Sequence, residues 1–326
     1  MHIRPELQAL RGDDAPQRCA QTRFNALLAQ WRADPLVAAA QAELSSFANG
    51  APLEDLPVLA ALFAPHEDAA ARFCGDLVGR FARALDDDPL GQVPLRHYTD
   101  DLATSLLLLR SGSASLALQA LDGPGLARRP SAISAAFAPT ETWEIVLDGR
   151  AEIERVRLVA PRPGGAELAR EPLLLEPGAV CHRLGTVEAL PVRRVEGTLV
   201  TLKLQRHTGA AGAVTCEYRL ADGALLHQAA GSPRDSRLEL TTALLGRMGR
   251  TDAAPLLAAM AEEQGSASLR WQALRECIGL DSGLGFATLC GIAIKPDDPL
   301  AAPAGALRAQ LLETYPELAG VQPCPA

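Results

Sequence analysis

The stretch that decides the fold runs from Val200 to Gln228, VTLKLQRHTGAAGAVTCEYRLADGALLHQ. Val200, Leu202 and Leu204 alternate with Thr201, Lys203, Gln205 and His207, and Val214, Cys216, Tyr218 and Leu220 alternate with Thr215, Glu217 and Arg219. A period of two is the signature of strands with one apolar and one polar face. The apolar set is expected to face the interior, which sends Arg219 and His207 outward. Asp222-Gly223 reads as a two-residue hairpin turn, which would pair Leu220 with Leu225, Tyr218 with His227 and Cys216 with Ala229. His227 is then expected to point inward.

The same texture extends back to about Arg96. Leu106–Leu109 and Ser115–Leu118 flank Arg110-Ser111-Gly112-Ser113 as a hairpin, and Trp143–Leu147 and Ala151–Leu158 flank Asp148-Gly149 as another. With short strands near Leu173–Leu175 and Val180–Leu184, nine or ten strands fit, enough for a sandwich or barrel. Before this segment, Phe24, Leu27, Leu28 and Trp31, then Leu56, Leu59, Leu62 and Phe63, then Phe73, Leu77, Phe81 and Leu85 recur at three and four, the spacing of amphipathic helices. Asn49–Pro52, Ala64-Pro65 and Asp86–Pro89 stop them. After Ser232 the helical period returns, and Ala243-Leu244, Ala273-Leu274 and Ala306-Leu307 repeat at spacings of 30 and 33. Ser232 or Asp235 is placed to cap the first of these helices, although the charged run Ser232–Arg237 also suits a contact between domains.

The expected class is therefore α+β multidomain: an N-terminal helical segment (1–95), a central antiparallel β-barrel or jelly roll (96–231) and a C-terminal α-helical repeat stack (232–326). At 326 residues the chain is long enough for such a division. A formal net charge of −8 argues against a general grip on nucleic acid or on an anionic membrane surface. Seven cysteines, an odd number without a C-x-x-C pair, point to neither a zinc knuckle nor a disulfide framework and suit a reducing compartment. No basic start with an apolar run follows Met1, and no uncharged apolar stretch of about 18 residues occurs, so a soluble cytoplasmic protein is expected. Nucleotide-cradle, nucleophile-elbow and H-E-x-x-H motifs are absent.

In Val180–Leu184 the apolar ends bracket His182, so it too is expected to face the interior. Two inward histidines near Cys216 and Tyr218 have two readings, a metal or polar ligand site or ordinary hydrogen bonding to neighbouring strands. His97, ahead of Asp100 and Asp101, would sit near a barrel mouth, as a further ligand or in a capped linker. Arginine is the other resource: Arg193 and Arg194 follow Pro191, and a guanidinium there could fork a carboxylate or phosphate, whereas Arg183 is expected to face outward.

The run Glu171-Pro172-Leu173-Leu174-Leu175-Glu176-Pro177-Gly178-Ala179-Val180-Cys181-His182-Arg183-Leu184-Gly185 resembles the L-x-P-G-x-x-x-H strand entry of cupin β-barrels. The resemblance spans about 130 residues and implies a jelly-roll barrel. Many cupins hold iron, manganese or another divalent metal on His and Glu for oxygenase or isomerase chemistry, and others have lost the metal and bind or sense ligands. The H-x-H pair is missing here: position 180 is Val, position 184 is Leu, and Glu188 lies six residues beyond His182. Ser268–Arg275 with Leu280-Asp281 resembles a HEAT-type repeat. Together these imply a ligand-binding or regulatory module with a protein or peptide partner on the repeats and a small molecule in the barrel, with Tyr218, Cys216 and Arg193 as ligand contacts. The alternative is a non-haem metal oxygenase holding a divalent transition metal, iron first, on His182, His227 and His97, and a third reading is a structural subunit of a larger complex.

Overall fold

The computed structural model describes residues 12–209 and 213–320. Met1, where the start of the chain was read, and Cys324, one of the seven cysteines, lie outside the described residues. Among those residues the chain is a mixture of ten α-helices and antiparallel sheet, and it divides into two compact units, one of 1–208 with 219–224 and one of 209–218 with 225–326.

The first unit opens with helices α1 (Ala15–Arg32), α2 (Pro35–Ala48), α3 (Pro57–Leu62) and α4 (Ala69–Asp87). The ends of α2, α3 and α4 fall at the expected turn and pre-proline signals. Asp34 caps α2 by accepting from the Leu36 N–H at 2.9 Å, and Glu43 receives the first free N–H groups of α3, from Val58 (3.1 Å) and Leu59 (2.8 Å). The apolar faces meet through aromatics: Phe24 stacks on Phe81 at 5.8 Å, and Trp31 meets Phe73 edge-on at 5.6 Å.

The strands β1 (His97–Thr99), β2 (Ala103–Ser111), β3 (Ala114–Asp122), β5 (Thr140–Arg162), β6 (Gly165–Leu175), β7 (Val180–Leu184), β8 (Glu188–Ala189) and β9 (Val192–His207) form one antiparallel sheet. The short strand β4 (Ser134–Phe137) and helix α5 (Gly123–Ala127) complete this unit. The sheet runs β1-β2-β3-β9-β5-β6, with β7 and β8 also paired to β5. Among the described residues this path ends at β1 and β6, so the expected closed barrel is not formed. The sheet curls instead: residues of β1, β2, β3, β5, β6, β7 and β9 line one cavity.

The 106–118 hairpin forms as expected, turning through Gly112 and Ser113. Asp148-Gly149 is not a turn. It lies inside the single 23-residue strand β5, where the register to β9 slips between Val146 and Asp148 and again between Asp148 and Arg150. Gly149 sits at φ +85°, where a Cβ would stand 2.1 Å from the Thr198 carbonyl oxygen. This is a bulge that bends a long strand, and it uses the same Asp-Gly chemistry that makes a hairpin turn.

Both faces of the sheet are covered. Leu116, Leu202, Leu204 and Ile145 share a core with Phe24, Trp31, Leu44, Phe47, Leu59 and Leu77 of the helices. Arg206 ties the layers together: its Nη1 donates to the carbonyls of Phe47 (2.7 Å) and Ala51 (2.8 Å), and its Nε donates to Glu141 (2.7 Å). The alternation read from 200–206 is correct in period. Leu202 and Leu204, however, face the helices, and Thr201 and Gln205 of the set expected to meet solvent line cavities, whereas His207 is exposed as expected.

The second unit holds strand β10 (Val214–Arg219) up to Tyr218 and strand β11 (Leu225–Ala230), followed by α6 (Pro233–Arg247), α7 (Ala254–Glu262), α8 (Ala267–Leu280), α9 (Ser282–Ala293) and α10 (Ala301–Thr314). Ser232 does cap α6, accepting from the Asp235 N–H at 3.0 Å. Helix α8 packs on α6, α7 and α9, around Leu257, Ala273, Leu274, Cys277, Phe286 and Leu289. At its centre Arg270 donates to the Ala261 carbonyl (2.9 Å) and to Asp298 (2.5 Å).

Candidate functional site

Cross-strand registry sorts the polar residues of the first unit by face. Cys181, Glu144, Lys203 and Ala117 lie opposite one another on successive strands. So do Val146, Thr201, Gln119 and Ser105, and Arg183, Thr142, Gln205 and Ser115. These three rows share the concave face.

The first cavity, of about 370 Å³, is lined by Ser105, Gln119, Thr201 and Glu144 on one wall and by Val146, Ile153, Leu175, Leu190, Val192 and Leu199 elsewhere. Tyr98, 61% exposed, stands at its rim and donates to Asp100 at 2.9 Å. Asp100 also accepts from the N–H groups of Ala103 (2.7 Å) and Leu102 (2.9 Å), which with the Tyr98 hydroxyl hold its carboxyl far below the usual carboxylate range. Arg129 bridges Asp100 and Asp101, so the β1–β2 turn at the rim is fixed.

Glu144 lines the first cavity, and its partner Arg183 lines a second, of about 340 Å³. Arg183 meets Glu144 at 3.0 Å, and Lys203 approaches Glu144 at 3.5 Å. Burial alone would raise the Glu144 carboxyl, but the Arg183 and Lys203 charges outweigh it and hold the group below its ordinary value. Cys181, in the same row, has its thiol pushed up by burial and by the Glu144 charge, so it is not a poised thiolate. Thr142, 1% exposed, has a buried hydroxyl with no hydrogen-bond partner. Such a group costs about 1–3 kcal/mol.

The expected site residues are not brought together. His182 points away from the cavities: the Cys181–Glu144–Lys203 row turns it to the opposite face, where it stacks on Trp143 at 4.0 Å and bonds Glu141 at 3.1 Å. The parity holds, since Val180, His182 and Leu184 share a face, but that face is the helix side and not the cavity side, and Arg183, which was expected to face outward, in fact lines a cavity. His97 pairs with Leu106, on the helix-side face, and its Nδ1 lies 3.2 Å from the Leu95 carbonyl. His227 is exposed, not inward. The 222–223 turn is wider than two residues, since the Arg219 N–H bonds the Ala224 carbonyl. A bulge after Glu217 then pairs His227 with Glu217, Tyr218 with Leu225 and Cys216 with Gln228. His182 and His97 belong to the first unit and His227 to the second, and no group of three or more His, Cys, Asp or Glu placed to hold a metal occurs among the described residues. Arg193 is engaged by Glu154 and by the Ala132 carbonyl (2.8 Å). Glu144, Lys203, Thr201 and Gln119 were not singled out as site residues. Their signal was the polar half of an alternation whose apolar half belongs to a second buried face.

No family model matches the chain, and no curated protein matches it. Among solved structures it is similar over part of its length to ectoine synthase from P. lautus (13% identity, TM-score 0.23, covering 34% of this chain and 68% of that one). It is likewise similar to a putative mannose-6-phosphate isomerase from Ralstonia eutropha JMP134 (16%, 0.24, 35% and 91%) and to a cupin superfamily protein from Desulfitobacterium hafniense DCB-2 (16%, 0.22, 33% and 81%). No helix among the described residues is long and apolar enough to cross a membrane.

Proposed function

We propose that the chain is a ligand-binding module of cupin-like build whose first unit takes a small amphipathic molecule in the first cavity. One observation carries this: a curled sheet leaves a chamber of about 370 Å³ with a polar arm (Ser105, Gln119, Thr201 and Glu144) facing an apolar wall. A cavity at the small end of the roughly 300–1,000 Å³ range of ligand sites, mostly apolar with a few convergent polar groups, has the anatomy of such a site. The apolar wall takes the body of the ligand, and the arm takes its hydroxyl or amide groups. Glu144 favours hydrogen-bond donors over anions there. A thermal-shift screen with uncharged amphiphiles should give hits, and a Gln119→Leu/Thr201→Val double variant should bind them about tenfold more weakly through two lost hydrogen bonds while keeping its fold. A folded protein with no hits, or hits indifferent to the double variant, would defeat the proposal.

The partner-binding half of the reading has its own support in the second unit. Leu240, Leu244 and Met248 recur at four-residue spacing on or just beyond α6 and are 70%, 56% and 58% exposed, an apolar stripe of the kind that meets a peptide or protein. Leu244→Asp should lower capture of a co-purifying protein without loss of helix content. Unchanged capture removes this half.

A further inference from the structure

The second cavity lies in the first unit, walled by the polar row of β5, β7 and β9 and by the segments 134–138 and 185–191. Gly185 allows this wall to close. Its N–H donates to the Thr140 carbonyl at 2.7 Å, and a Cβ on it would stand 2.5 Å from the Ala138 carbonyl oxygen. Arg183, Gln205, Thr140 and Glu188 line the cavity. Thr142 stands between Arg183 and Gln205 in the same row, with its buried hydroxyl unpartnered.

We infer that this cavity is a binding site for a small carboxylate, held by the Arg183 guanidinium with Gln205 as a neutral donor. A guanidinium offers five N–H groups in a planar fork, and Glu144 takes two of the Arg183 nitrogens, at 3.0 and 3.4 Å. The local charge favours an anion. Glu188 is held by Arg157 at 2.6 Å, with Arg155 at 3.9 Å, and Arg155 also approaches Glu171 at 3.8 Å. With the Glu144–Arg183–Lys203 cluster, four cations (Arg155, Arg157, Arg183 and Lys203) stand against three carboxylates (Glu144, Glu171 and Glu188), an excess of one positive charge. An anion that reaches Arg183 offsets that excess, whereas a cation adds to it. The site is separate from the first cavity, so it stands or falls without the amphipathic ligand proposed there.

The test is titration of the full-length protein with sodium acetate and sodium propionate against sodium chloride at equal ionic strength, followed by calorimetry and melting temperature. Saturable carboxylate binding that chloride does not reproduce, weakened about tenfold in Arg183→Lys, is the expected result, because lysine keeps the charge beside Glu144 but loses the fork. If Arg183→Lys does not fold, Gln205→Leu, which leaves the ion pair intact, carries the same comparison. Carboxylate effects no larger than those of chloride, or saturable binding unchanged in the folded variant, would overturn the inference. Neither result bears on the uncharged ligands of the first cavity.

Discussion

Replacing Thr142 by valine should stabilise the protein. The side chain is 1% exposed, and its hydroxyl is buried without a partner. Mutational data place the cost of such a group at about 1–3 kcal/mol. Valine keeps the branched shape, so the methyl packing is retained and the hydroxyl's desolvation cost disappears. A gain of about 1–2 kcal/mol is expected, and for a unit of this size each kcal/mol is worth roughly 2–4 °C, a rise of about 2–8 °C. The assay is urea denaturation followed by circular dichroism, with Thr142→Ser as the control: serine keeps the orphaned hydroxyl, loses a methyl and should be destabilised by about 1 kcal/mol. A Thr142→Val protein that is less stable than the parent by about 1 kcal/mol would mean that the hydroxyl is satisfied, by a buried water for instance, and would refute this account of the polar row.

Other changes test the frame around the cavities and the second unit. Gly149→Ala forces a Cβ to within 2.1 Å of the Thr198 carbonyl at φ +85°, and should cost about 1–3 kcal/mol in the same denaturation assay; an unchanged midpoint would mean that β5 is not bent there. Arg270→Met leaves Asp298 buried without its partner, for a loss of about 3–5 kcal/mol. The Arg270 hydrogen bond holds the Asp298 carboxyl below its ordinary value. That stabilisation is therefore fully present above the unfolded carboxylate pKa of about 4 and is lost as pH falls through the lower folded value. The parent should lose stability between those two values, and Arg270→Met should show a flatter acid limb; superimposable limbs would count against the pair.

The elements of this chain were legible in its sequence, and their sides were not. Turn and pre-proline signals place the ends of α2, α3 and α4, and the period of two in 200–206 places a strand. Period two states that Leu202 and Leu204 share a face. It does not state which face encloses the ligand space. In a sheet with solvent on one side the apolar face is the interior, and that assumption turned His182 inward and Arg183 outward. Here the apolar face is buried by helices from the first 90 residues, while the other face curls around cavities and is buried with its charges paired: Glu144 with Arg183 and Lys203, Glu188 with Arg157. Those pairs join residues 31 to 59 positions apart in the chain, so local patterning could not reveal that they neutralise one another. The two misplaced turns share a second cause. Asp-Gly supplies a residue tolerant of positive φ, and the chain uses it once to bulge a long strand at 148–149 and once in a four-residue loop at 220–223 whose following bulge rotates His227 outward. A hairpin signal fixes the local backbone, but only the pairing partners decide the register. For that reason the candidate site moves from the histidines to a polar row whose members look, one strand at a time, like solvent-facing residues.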